Sequence, residues 1–239
     1  MKVPVVKEWG SWVVFFSSCL AGLIAGLSSR PRLSGKELAF AAASAVLGLI
    51  LLINSKNPLA SALRTKGKRE HVVWLLSFSL TGLALLLPYL IEGIRSFSLF
   101  TPLVLSYVTL LSRGKEHNLA AELNGFALLT VSAPLVYFAV TGEMSWGLYL
   151  TVTTFFAAGV FKVRMRIRKT PLFRWIMTLY CAAAFAVFQL MNISALLLLP
   201  LLENILTAVR IREEKLKTTG NTELAKAVLF IILLGFFWR

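Results

Sequence analysis

Acidic side chains, histidine and cysteine are scarce in this sequence. Its 239 residues hold 11 Asp and Glu against 25 Lys and Arg, with 2 His and 2 Cys. So few carboxylates and imidazoles leave little material for a metal centre. No HExxH, Walker loop or GxSxG elbow occurs. Cys19 and Cys181 lie far apart in apolar surroundings without a CxxC, so they read as small buried side chains and not as a disulfide framework. His71 in KREHVVW and His117 in GKEHNLA lack a second ligand at suitable spacing, so solvated histidines at the membrane interface are expected there. No internal repeat, low-complexity stretch or linker divides the chain, and a single domain over 1–239 is expected. Neither a metal nor a cofactor is expected.

Apolar residues are abundant. Hydrophobic residues make up 57% of the chain and the mean hydropathy is +0.76, well above a soluble domain. They fall in long blocks without strict alternation. In hydrocarbon every backbone polar group needs an internal partner, so such blocks are helices. The pattern predicts an all-α, polytopic integral membrane protein with about nine spans, near 10–28, 37–54, 72–91, 97–112, 119–141, 144–161, 172–190, 193–209 and 224–238. The first block follows Lys2 and Lys7 as a signal peptide would, but it runs to about Leu27 and is read as a retained helix. Short connections predict that consecutive helices are antiparallel neighbours. Pro88, Pro102, Pro134 and Pro200 mark expected kinks.

The net charge of +14 would suggest nucleic acid in a soluble protein, but no nucleic-acid-binding pattern is present. The basic residues sit between apolar blocks, where topology and anionic lipid explain them. With the N-terminus in the cytoplasm, the outer side holds Arg30, Arg32, Lys36, Arg95 and Arg239, and all other Lys and Arg fall inside. This bias predicts a multi-pass protein of a bacterial inner membrane, in contact with membrane lipids and with no nucleic-acid partner.

The densest basic stretch is FKVRMRIRKT, from Phe161 to Thr170. It reads as a cytoplasmic loop after the sixth helix. Its charges serve topology and lipid contact, or Arg164 and Arg168, four apart on a continuing helix, clamp an anion. Period-two alternation equally allows an extended segment. Acidic residues beside spans are the next candidates, being costly in lipid and rarely without a partner. Glu8 precedes the first helix, Glu122 and Asn124 open the fifth, and Glu203 lies near the inner end of the eighth. Together with Trp12, Asn54, Asn57, Arg64, Arg164, Arg166 and Arg210 they form the candidate set for a cytoplasm-facing polar cavity. The structural alternative pairs Glu203 with Arg210 or another base and leaves Glu122 to a helix dipole.

Nine helices, an inner N-terminus and polar loops after the second and sixth resemble the UbiA prenyltransferase superfamily. There, NxxDxxxD and DxxxD motifs bind magnesium and an isoprenyl diphosphate. In NSKNPLAS, Asn54, Asn57 and Ser61 keep the spacing but both aspartates are missing, and FKVRMRIRK has no carboxylate. The chain more closely resembles the YwiC-like family of bacterial membrane proteins. KEWGSW, AAELNGFALLTVSAP, FKVRMRIR and TTGNTELAKAVLFIILL carry the likeness, with Trp9 where a histidine would be expected. The resemblance implies a UbiA-like bundle without the magnesium–diphosphate site and names no reaction; an enzyme of this kind would be a divergent UbiA-like transferase.

The expected function is binding of a hydrophobic anionic ligand such as an isoprenoid, quinone precursor or lipid. Alanine at Arg164 or Glu203 is expected to abolish that binding and leave the fold intact. Two other readings stand beside it: a non-enzymatic subunit or assembly factor that docks a cytoplasmic partner, and a transporter, which the nearly uncharged outer halves disfavour.

Overall fold

A computed structural model describes residues 5–29, 31–64, 68–114, 118–210 and 216–238. The described residues are helical, without a β-strand. In chain order the helices are α1 (Trp9–Ser28), α2 (Gly35–Asn54), α3 (Lys56–Arg64), α4 (Arg69–Glu92), α5 (Ile94–Phe97), α6 (Thr101–Ser112), α7 (Leu119–Thr130), α8 (Ser132–Thr141), α9 (Trp146–Arg168), α10 (Pro171–Leu190), α11 (Leu202–Val209) and α12 (Leu216–Phe237). Short 3-10 segments cover Ser98–Phe100 and Ala195–Leu201.

Eight stretches among the described residues are long and apolar enough to cross a membrane: Trp9–Ser28, Gly35–Arg64, Arg69–Glu92, Ile94–Ser112, Leu119–Thr141, Trp146–Arg168, Pro171–Leu190 and Thr218–Phe237. Ala195–Val209 is a shorter apolar helix. Each expected span falls on one of these nine, and the protein is an all-α membrane protein.

Three boundaries differ from the sequence reading. The second stretch continues to Arg64 through a break at Ser55. Ser55 closes α2 with its N–H on the Leu51 carbonyl (3.1 Å) and its hydroxyl on that of Leu52 (2.6 Å). Pro58, which has no N–H to give, then fits the first turn of α3. The sixth stretch does not stop at 161. It carries the basic residues as its last two turns, and Lys169, in the left-handed region at φ 51°, ends it. The basic stretch is thus helical and neither extended nor a loop. The last helix begins at Leu216 and its apolar stretch at Thr218, so Glu223 lies inside a span with Lys226 and not in the connection before it.

The prolines divide in the same way. Pro134 follows the α7–α8 break at Val131, Pro102 opens α6 and Pro200 lies in a 3-10 segment. α4 runs on through Pro88 as one helix.

Neighbours in sequence are not always neighbours in space. α1 packs chiefly on α8 and α12, and α2 on α4 and α8. The reason lies in small residues. A Cβ at Gly22 would come within 2.2 Å of the Ala133 carbonyl oxygen, and one at Gly26 within 3.0 Å of Val140. α1 can therefore approach α8 nearly backbone to backbone, as small-residue contacts allow between membrane helices. α8 is the most enclosed element, with every residue from Ser132 to Val140 buried. Gly48 and Gly82 permit the same close crossing of α2 and α4.

The last helix closes on the first. Phe230 of α12 stacks on Phe155 of α9, ring centroids 4.1 Å apart, in the core that also holds Val14, Ala21 and Ala25 of α1. Large apolar side chains such as Leu80, Leu105, Leu190 and Phe236 point outward, as lipid requires. At one end of the bundle Arg32 pairs with Glu92 through both nitrogens, and its backbone N–H bonds the Val140 carbonyl (3.0 Å). This joins three hairpins, and the pairing with Glu92 pushes the Arg32 pKa further up.

Candidate functional site

At the other end, the candidate residues fall into three groups. The first is built on the α2–α3 break. Asn54 is buried and accepts from the Val6 N–H (3.1 Å), while its own amide donates to the Ile50 carbonyl (2.9 Å). Asn57 donates to the Val5 carbonyl (2.9 Å), and Trp12 Nε1 to that of Val6 (2.9 Å). Glu8 accepts from Ser11 and pairs with Lys56 at 2.7 Å. The two asparagines at the spacing of an Asp-rich motif therefore hold the chain's own segment 5–6 against the break. Arg64 lies beyond, exposed at the end of α3.

The second group joins α7 to α9. Arg164 Nε donates to Glu122 at 2.8 Å. Glu122 is thus one half of an ion pair and not only a carboxylate at a helix N-terminus. Two residues on, Asn124 sits against the Ser106 hydroxyl of α6; with its amide turned to suit its neighbours it donates to the Leu103 carbonyl (3.1 Å) and accepts from the Tyr107 N–H (3.2 Å).

The third group is the densest, and most of it escaped the candidate set. Lys162 has no exposed surface. Its ammonium lies 2.5 Å from Glu203 and 2.9 Å from Glu223. Lys226, nearly as buried, lies 3.2 Å from Glu203 and 2.5 Å from Glu223. Two ammonium groups and two carboxylates thus alternate around a square, drawn from α9, α11 and α12, with no net charge. Thr207 donates to the second oxygen of Glu203 (2.8 Å), and Lys226 donates to Asn204 Oδ1 (2.5 Å). Arg166, one turn past Lys162 on the same face, donates to Thr219 at 2.7 Å.

Helical periodicity explains the division. Residues 162 and 166 share a face at four-residue spacing, while 164 points to the opposite side. Arg164 therefore reaches α7 while Lys162 and Arg166 reach α11 and α12. Arg164 and Arg166 do not line one cavity together. Glu203 pairs with Lys162 and Lys226, whereas the Arg210 of the sequence reading is an exposed residue that ends α11. The square lies inside the helices: Lys162 is six residues from the end of α9, about 9 Å at 1.5 Å per residue. The available signals were the i,i+3 spacing of Glu223 and Lys226 and a lysine within an apolar run. The expected limits 144–161 and 224–238 leave Lys162 and Glu223 just outside their spans, and Lys226, inside the last one, was counted with the inner charges.

The positions of the remaining features are plain. His71 is half-buried in the first turn of α4, and His117 lies outside the described residues. Cys19 and Cys181 are free and buried. Among the described residues no three His, Cys, Asp or Glu converge as a metal site would need. A groove of about 710 Å³ lies at the opposite end of the bundle, lined by Gln189, Asn192, Ser194, Leu199 and Phe237 among others.

A family model described as YwiC-like protein matches residues 5–137, more than half of the chain. The match takes in the α2–α3 group and Glu122 and ends before the square of charges. No curated protein and no solved structure matches the chain.

Proposed function

The chain belongs to the YwiC-like family, and on that premise we propose that it binds an anionic amphiphile at the end of its bundle where the charges gather. The ligand class is an isoprenoid, a quinone precursor or a lipid with a phosphate or carboxylate head. The bound face is the inner leaflet of a bacterial inner membrane, with the N-terminus in the cytoplasm.

One observation carries the reading: Lys162 and Lys226 are held with Arg166 at the meeting of three helices, within otherwise apolar spans. Charge inside a membrane is costly, and such residues mark ligand or ion paths. The basic groups supply the donors that an anionic head needs. The positive bias of the segments around them supports the inward orientation.

The test is mass spectrometry of amphiphiles retained by the full chain after gentle purification. An anionic amphiphile should copurify with the wild type and be depleted at least severalfold in Arg166→Gln. Retention of the same molecules at the same stoichiometry by this variant refutes the proposal. Cysteine labelling tests the orientation: residues 68, 113 and 168 should react from one side, and 32 and 143 from the other.

A further inference from the structure

The square of charges is not evenly anchored. Glu203 is held at both oxygens, by Lys162 and Lys226 on Oε2 and by Thr207 on Oε1. Glu223 meets the same two lysines through Oε1 alone, and about a quarter of its side chain is exposed (28%). Beside them is an unused donor. Asn204 is fully buried, its Oδ1 takes Lys226, and its Nδ2 has no hydrogen-bond partner among the described residues. A buried amide N–H without an acceptor is destabilising. Glu223 thus lies between two ammonium groups, one of which also holds the buried amide of Asn204.

We infer that Glu223 is an internal stand-in for the ligand's anionic group, and that a phosphate or carboxylate head displaces it from between Lys162 and Lys226. The inference rests on the amphiphile reading and names its site and its control. Electrostatics permit the exchange. The square is neutral, so replacing one carboxylate by a monoanionic head leaves it neutral, and Lys162 is never left without a counter-charge. Hydrogen bonding favours it. A phosphate offers several acceptor oxygens where Glu223 offers one to these donors, so Asn204 Nδ2 gains a partner. Glu223 is the member that can leave, because Glu203 is pinned by its own helix through Thr207. The device keeps the site shut to weak anions and opens it to a head that satisfies all three donors.

The experiment uses the full chain in nanodiscs of zwitterionic lipid, titrated with dodecyl phosphate and, separately, with inorganic phosphate. Glu223→Gln removes the competing charge and keeps the size, so it should bind dodecyl phosphate about tenfold more tightly than the wild type. Should that variant fail to elute as a single species, Glu223→Asp, which withdraws the carboxylate by one methylene, should tighten binding about threefold. Lys162→Met/Glu203→Leu removes a balanced pair and should lose binding. Equal affinity of the wild type and the Glu223 variants overturns the inference, and retained loss in Arg166→Gln would then leave the amphiphile reading standing. Binding of inorganic phosphate as tight as that of dodecyl phosphate, with the same Glu223 effect, supports the displacement and overturns the amphiphile. No binding by any form overturns both.

Discussion

Remove one member of the square, and the charge opposite it loses its balance. Glu203→Leu leaves Lys162, which has no exposed surface, and Lys226 to share Glu223 alone. Breaking a buried ion pair from one side costs roughly 3–5 kcal/mol. Glu223 still sits within 2.9 Å of both lysines, which places the loss near the lower limit, about 3 kcal/mol. Lys162→Met strands two carboxylates on one lysine and should cost a similar amount. The double variant removes one charge of each sign. It leaves Lys226 and Glu223 paired at 2.5 Å, with apolar side chains filling the vacated volume. Its cost should be about 1 kcal/mol or less, since exchanging a buried pair for apolar residues is often neutral or stabilising. If the single losses were independent the double would lose about 6 kcal/mol, so the coupling amounts to about 5 kcal/mol. Unfolding in mixed detergent micelles by added dodecyl sulfate measures all three. A double variant whose loss equals the two single losses added, or singles each below about 1 kcal/mol, would refute the reasoning. The same geometry revises an expectation from the sequence. Alanine at Glu203 disturbs the fold as well as any binding, so its effect on a ligand cannot be read alone.

The helix contacts give sharper local tests. Gly22→Ala drives a methyl into the Ala133 carbonyl and should lower stability by about 1–3 kcal/mol, while Gly10→Ala, which meets nothing within 4 Å, should change it by less than about 0.5 kcal/mol. Asn54→Leu removes the acceptor of the Val6 N–H, and hydrogen exchange at that amide should quicken by about tenfold or more with α4 and α9 unaffected. Phe230→Ala empties one half of the stack with Phe155 and should cost about 3–5 kcal/mol in the same micelle assay. Protection of Val6 unchanged in Asn54→Leu would mean that the α2–α3 break does not hold the N-terminal segment.

Much of the architecture was legible in one dimension. Nine apolar blocks, each uninterrupted by more than a few charges, specify nine helices because hydrocarbon leaves the backbone no other partner. The buried state of Cys19 and Cys181 follows from the same blocks. Span limits were less legible where charge and helix overlap. A lysine such as Lys162 reads as a boundary only while its counter-ions are unknown. Glu203 and Glu223, 41 and 61 residues further on, turn it into an interior residue.

What the sequence determined by itself is the class and the inventory: an all-helical membrane protein with an excess of base and a few carboxylates. Hydropathy and helical periodicity are properties of consecutive residues, so they can be read along the chain. Tertiary structure alone decided that α12 returns to α1, that Gly22 and Gly26 admit α8 where α2 had been expected, and that Lys162, Glu203, Glu223 and Lys226 share one site. Ion pairing depends on distances between helices that are remote in sequence, and those distances are set by how closely small residues let the backbones approach.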